Sequence, residues 1–182
     1  TQNYDLLPII INLYKKSILA GRKLQVEFQG GNISVLKEFE ALINEFKKHK
    51  CSHFIILSNM IKYLSILEML DKRSGVCVSL DAGTRETFYK IKQADAFDKV
   101  LDNISRTVTK SKIYMSVKYI LIKDVNDNLS EVVSFLKVIE KMPRIDKIVF
   151  DIDYNNTFMA NKTDYPDYYK DIIEYVYKFC KE

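Results

Sequence analysis

Cysteine is scarce, and the three present, Cys51, Cys77 and Cys180, stand far apart. Their spacing excludes a zinc ribbon, a CxxC redox pair and a disulfide framework, and it implies a reducing, cytoplasmic setting. No apolar run approaches the ~20 residues of a membrane span. The amino-terminal TQNYDLLPIIINLYKKS carries Asp5 and no small-residue cleavage pattern, so it does not read as a signal peptide. The three prolines and five glycines form no linker, and no period of roughly 20–50 residues recurs. Charge is modest too: the net +4 comes from scattered lysines. No basic stripe interleaved with aromatics appears, so neither nucleic acid nor a membrane is an expected partner.

Several motifs are also missing. Gly30-Gly31 is neither a Rossmann nor a phosphate-loop fingerprint, because the spacing and the lysine are wrong. There is no GxSxG elbow and no oriented Cys–His pair. His49 and His53 lie at a helix end and a strand start with no third ligand nearby, so no metal site is expected. DIDYNN, Asp151–Asn156, departs from a calcium loop: Asn156 stands where the turn glycine belongs and Lys162 where the bidentate glutamate belongs.

What remains is length and periodicity. The chain has 182 residues, enough for one domain that buries roughly two-thirds of its unfolded surface without staples. Helical spacing over 6–20, 34–48, 63–72, 84–92, 95–110, from 128 onward and over 165–180 alternates with strand patterns at 24–29, 54–58, 76–81, 114–122 and 147–153. Ser34, Thr84, Asp95, Asn128 and Asp164 are candidate helix caps, and Asn128 with Glu131 resembles a capping box. Such alternation predicts an α/β fold with a parallel sheet. Five strands are too few for a closed eight-strand barrel, so an open partial barrel is expected, lacking a first βα unit.

Side chains alternate faces along a strand. In LQVEFQGGN, Leu24, Val26 and Phe28 share one face while Gln25, Glu27 and Gln29 share the other. The same split separates Val76, Val78 and Leu80 from Cys77, Ser79 and Asp81. It separates Val117, Tyr119 and Leu121 from Ser116, Lys118 and Ile120, and Ile148, Phe150 and Ile152 from Val149, Asp151 and Asp153. Strands covered on both sides do not read this way. The expectation is helices on one side and a wet hollow on the other. Ligands of parallel sheets sit at the carboxyl ends of strands, where Gly30, Asn59, Asp81, Lys123 and Asp153 lie. The alternative is an open sheet whose second face is merely solvated or covered by another domain.

Several segments together resemble the radical S-adenosylmethionine (SAM) enzymes. VEFQGGN is similar to their "GGE" strand end, and ILSN to their next strand. VSLDAGTRETFYKIKQADAFDKVLDNI is similar to the strand ending Ser-x-Asp with the helix after it, and VKYILIKDVNDNLSEV to the strand and turn that follow. The order agrees over about residues 24 to 135. The resemblance implies a partial (β/α)₆ barrel binding SAM across its interior. By carry-over, Gly30 and Gly31 would lie along the methionine end. Asn32 stands where the family has an acidic residue for the amino group, which weakens that contact. Ser79 and Lys118 would take the carboxylate or ribose, while Asn59, Asp81 and Asp151 would face SAM or substrate.

The family's [4Fe–4S] cluster is held by thiolates in CxxxCxxC, which this chain lacks. Cluster ligands are therefore expected outside it, a few tens of residues upstream of Thr1. The chain would be one partial domain of a longer protein, inactive alone in radical chemistry. Its substrate would be a small molecule or a peptide, and its exposed sheet edge would allow a dimer. A degenerate, non-catalytic domain binding a small polar ligand or a partner protein is the rival reading. An unrelated (β/α) phosphate- or sugar-binding enzyme is the third.

Overall fold

The computed structural model of the protein describes residues 7–21, 25–28, 39–48, 53–70, 72–153 and 168–181. Five strands, β1 (Val26–Phe28), β2 (Phe54–Ser58), β3 (Gly75–Ser79), β4 (Tyr114–Leu121) and β5 (Lys147–Ile152), form one sheet in sequential order. All four neighbouring pairs are parallel. The helices are α1 (Leu7–Leu19), α2 (Phe39–Lys48), α3 (Arg85–Lys92), α4 (Phe97–Lys110), α5 (Leu129–Glu140) and α6 (Tyr168–Phe179). This is the expected open, partial (β/α) barrel.

Register shows how the faces divide. Partners in a parallel pair point to the same side, so Val26, Phe54, Val76, Val78, Met115, Val117 and Tyr119 line one face, and all are buried. The α5 residue Phe135 packs there, 4.7 Å from the Tyr119 ring and edge-on to Phe150. On the other face Glu27 and Asp151 are exposed, and Ile55, Leu57, Cys77, Ser79, Lys118, Ile120 and Val149 are half-buried. The period-two pattern thus marks a helix-packed face and an open one.

Three local expectations need correction. Residues 63–72 were expected to form a helix; the segment makes only a 3₁₀ turn, Ser65–Met69. Asp95 does not cap α4: the cap position is Ala96, whose methyl group cannot accept a hydrogen bond. Asn128 caps α5 through the Glu131 amide, but the Glu131 carboxylate does not close the box. It crosses instead to the start of α3, where it accepts from the Gly83 and Thr84 amides. Thr84 caps α3 as expected, accepting from the Thr87 amide. Ser34, His49, Cys51 and Asp164 lie outside the described residues.

Candidate functional site

The carboxyl ends of the three central strands are built by side chains that stop each strand and turn it. After β2, Ser58 Oγ accepts from the Met60 amide at 3.0 Å and Asn59 Oδ1 from the Ile61 amide at 3.2 Å. Met60, fully buried, takes φ 53°, and Asn103 of α4 holds its carbonyl at 2.8 Å. After β3, Asp81 has φ 58°, and in the turn after β4 Asp124 has φ 60°. A left-handed backbone is uncommon for residues other than glycine and persists where its surroundings over-determine it. Each of these three strand ends carries one.

Asp81 sits at the centre of this construction. It is 2% exposed. Its Oδ1 accepts the Ile120 amide at 2.8 Å and its Oδ2 the Lys92 ammonium at 2.5 Å. Its carbonyl accepts from Asn126 Nδ2 at 2.7 Å. Asn126 is itself fully buried, bonding the Ile120 carbonyl and the Ile122 amide. The hydroxyl of Tyr119 donates to the Asn126 carbonyl at 2.7 Å. Burial first, and then the carboxylates of Glu131, Asp81 and Asp127, push the Tyr119 phenol above its usual range. Asp127 accepts from the Asp124 amide and from the Tyr169 hydroxyl, which ties α6 to the turn after β4.

On the open face, Ser79 and Lys118 are register partners. Lys118 Nζ lies 2.9 Å from Asp151 Oδ2 on β5. The Lys118 hydrogen bond, with a bond from the Ile152 amide, holds the Asp151 carboxyl below its usual range. Asn59 follows β2 at the same level, because Ser58 pairs with Val78 and Ser79 with Lys118. Glu27 shares the face but pairs through Ile55 with Gly75 and Tyr114. That sets it four residues nearer the amino ends, about 13 Å along the strand direction.

The structure therefore brings Ser79, Lys118 and Asp151 together, with Asn59 in their row. Asp81 stands apart, its carboxylate turned into the protein. Gly30, Gly31 and Asn32 lie outside the described residues. Sequence reasoning overlooked Lys92, Asn126 and Glu131 as builders of the site. Glu131 is buried and Lys92 nearly so, yet both are charged. Only their partners, far away in sequence, explain them. Such an ammonium, hydroxyl and carboxylate on one half-buried surface can hold a ligand carrying charge of both signs.

Cys77 lies within β3 and Cys180 follows α6. Among the described residues no group of three His, Cys, Asp or Glu side chains could hold a metal ion. No helix among them is long and apolar enough to cross a membrane.

No protein-family model matches the chain. It is 29% identical over 153 residues to a protein of Brachyspira hyodysenteriae described as GTPase Obg; the match covers 77% of this chain and 22% of that protein. The chain carries no phosphate-loop motif of its own. A radical SAM methyltransferase from Sphaerobacter thermophilus is similar in structure, with a TM-score of 0.58 and 12% identity, over 81% of this chain and 46% of that one. An archaeal TYW1 gives 0.52 and 21%, over 74% and 48%. A TYW1 with a lysine–pyruvate adduct bound gives 0.55 and 18%, over 75% and 50%. The chain spans about half the length of these solved structures and less than a quarter of the curated relative. At such identities the likeness is one of fold: five parallel strands with their helices have the radical-SAM-like arrangement of an open (β/α) barrel.

Proposed function

We propose that this chain is the SAM-binding and substrate-positioning part of a radical SAM enzyme whose [4Fe–4S] ligands lie outside these residues. The observation that carries this reading is the row of polar groups, Asn59, Ser79, Lys118 and Asp151, on the open, half-buried face of a radical-SAM-like sheet. SAM has a carboxylate, an ammonium, ribose hydroxyls and an apolar adenine. The donor set suits it. The Lys118 ammonium offers a charge-assisted bond to the carboxylate, and the Ser79 hydroxyl stands beside it to share that bond or take a ribose oxygen. Half-buried Leu57, Ile120 and Val149 supply apolar surface along the same face. Gly30, Gly31 and Asn32 would line the methionine end, while Asn59 and Asp151 would serve the substrate side; Asp81, its carboxylate bonded to Ile120 and Lys92, would not reach it.

The cluster fits differently. The described residues offer no thiolate set for iron. When bound, cluster and SAM together would supply radical chemistry. This chain's own residues would bind, orient and shield.

Calorimetry with SAM tests the reading. Binding that Lys118→Ala and Ser79→Ala each weaken supports it. No heat at millimolar SAM, from a folded chain, sinks it and leaves the rival, a domain that holds another small polar ligand or a partner protein.

A further inference from the structure

The β3–β4 ladder does not end where β3 ends. At the last paired position, Ser79 opposite Lys118, the next two amides of the β3 chain, Leu80 and Asp81, both donate to the Lys118 carbonyl, at 3.1 and 3.3 Å. The left-handed turn at Asp81 then carries its own carbonyl away to Asn126. The following β4 amide, Ile120, would be left without the carbonyl that a continued β3 would offer. The Asp81 carboxylate supplies that acceptor at 2.8 Å. The two backbone groups that follow the Lys118 side chain on this edge, its own carbonyl and the Ile120 amide, are thus both bonded by Asp81, the carbonyl together with Leu80. A carboxylate this buried needs a counter-charge, and Lys92, from the last turn of α3, provides it.

We propose that Asp81, neutralised by Lys92, is a positioning residue for the ligand site at Ser79 and Lys118. It fixes the β4 backbone from Lys118 to Ile120 and so sets where the Lys118 ammonium stands relative to Ser79 and Asp151. It acts through the strand and does not itself touch the ligand. The ligand part of this inference rests on the reading of Ser79 and Lys118 as SAM contacts; the placement of the Lys118 ammonium against Asp151 does not.

The left-handed φ makes a clean experiment available. Glycine and asparagine both accept it. Asp81→Gly therefore removes the carboxylate with little backbone penalty, while Asp81→Asn keeps an oxygen for the Ile120 amide. Two readouts are taken on the folded chain. The first is SAM affinity by calorimetry, expected to fall about tenfold or more in Asp81→Gly and less than about threefold in Asp81→Asn. The second needs no ligand: the Asp151 carboxyl is titrated by carbon NMR. In Asp81→Gly its midpoint moves up toward the ordinary carboxylate value, and in Asp81→Asn it stays low. Ile104→Val, a core change away from the site, leaves the midpoint in place and so controls for general destabilisation. Should the glycine variant not fold, Asp81→Ser serves instead, its shorter side chain falling short of the Ile120 amide.

An unmoved Asp151 midpoint in the glycine or serine variant overturns the proposal. So does unchanged SAM affinity in a chain that binds SAM. If the wild-type chain binds no SAM, the function proposed above fails alone, and the Asp151 titration still decides whether Asp81 positions Lys118.

Discussion

The backbone amide of Gly83 donates to Oε1 of Glu131 at 2.7 Å across 48 residues of chain. The two segments that carry most of the family resemblance, VSLDAGT and VNDNLSEV, are thereby one structural unit. Glu131 also accepts the Thr84 amide at 3.0 Å, so a carboxylate from α5 satisfies donors at the entrance to α3. An anion suits a helix amino terminus. The contact is close because Gly83 has no side chain: a Cβ there would stand 2.2 Å from the Phe135 nitrogen and 2.6 Å from the Glu131 carbonyl oxygen.

Gly83→Ala is expected to be severely destabilising, by ~3 kcal/mol, since backbone atoms and not a flexible side-chain tip would have to move. Glu131→Ala removes the acceptor but leaves the space, and should cost less, about 1–3 kcal/mol. Urea unfolding of the two variants gives the order; an alanine at 83 that costs nothing would mean that α3 and α5 do not approach as described.

Lys92→Met should cost about 3–5 kcal/mol, because it strands a buried carboxylate. The side chains of Lys92 and Asp81 are only 17% and 3% exposed. Adding Asp81→Asn to Lys92→Met should return much of that loss, since the buried charge then disappears. Additive costs in the double-mutant cycle would show that the pair is not coupled.

The Lys118–Asp151 pair gives a small acid-side effect. The Asp151 carboxyl is held low by the Lys118 hydrogen bond and the Ile152 amide. A carboxyl lowered in the folded state adds stability at pH values above its unfolded range, and that stability is lost as pH falls through the folded value. The side chain of Asp151 is 56% exposed, so solvent screening keeps the contribution within ~1 kcal/mol. Lys118→Met should raise the Asp151 midpoint and flatten the stability profile on the acid side of the carboxylate range.

Alkaline titration should show late ionisation of Tyr63 and Tyr119. Burial, and then the hydrogen bond to Glu68, push the Tyr63 phenol from 10.0 to about 12. Tyr119 is shifted up further by burial. For an acid raised in the folded state, the stability is intact below the unfolded value and is lost as pH rises through the folded one. The Tyr63 contribution should therefore hold to about pH 10 and be lost toward about pH 12. Phenolate absorbance would report unfolding and late ionisation together, and Tyr63→Phe should remove the first late component. A folded chain whose tyrosines all ionise near 10 would contradict both burials.

Local pattern was enough to place the sheet. Period-two alternation in β3 and β4 separated a buried face from an open one, because each strand must bury only the side that helices cover; in β5, the last strand of the sheet, Ile148, Phe150 and Ile152 are only half-buried. The Thr84 and Asn128 caps were legible for the same reason: a cap bonds amides within one turn of itself. Register was not local. Glu27 has the right parity, yet pairing sets it level with Gly75 and away from Lys118. The role of Asp81 was not local either. In sequence it is a polar strand end like Asp151; in the fold, a left-handed turn directs it to Ile120 and Lys92, while Asp151 stays on the open face. Sequence by itself determined which residues alternate, cap and turn, since those depend on neighbours along the chain. Tertiary structure alone decided which charges meet, since a buried carboxylate is placed by partners many residues away that satisfy it.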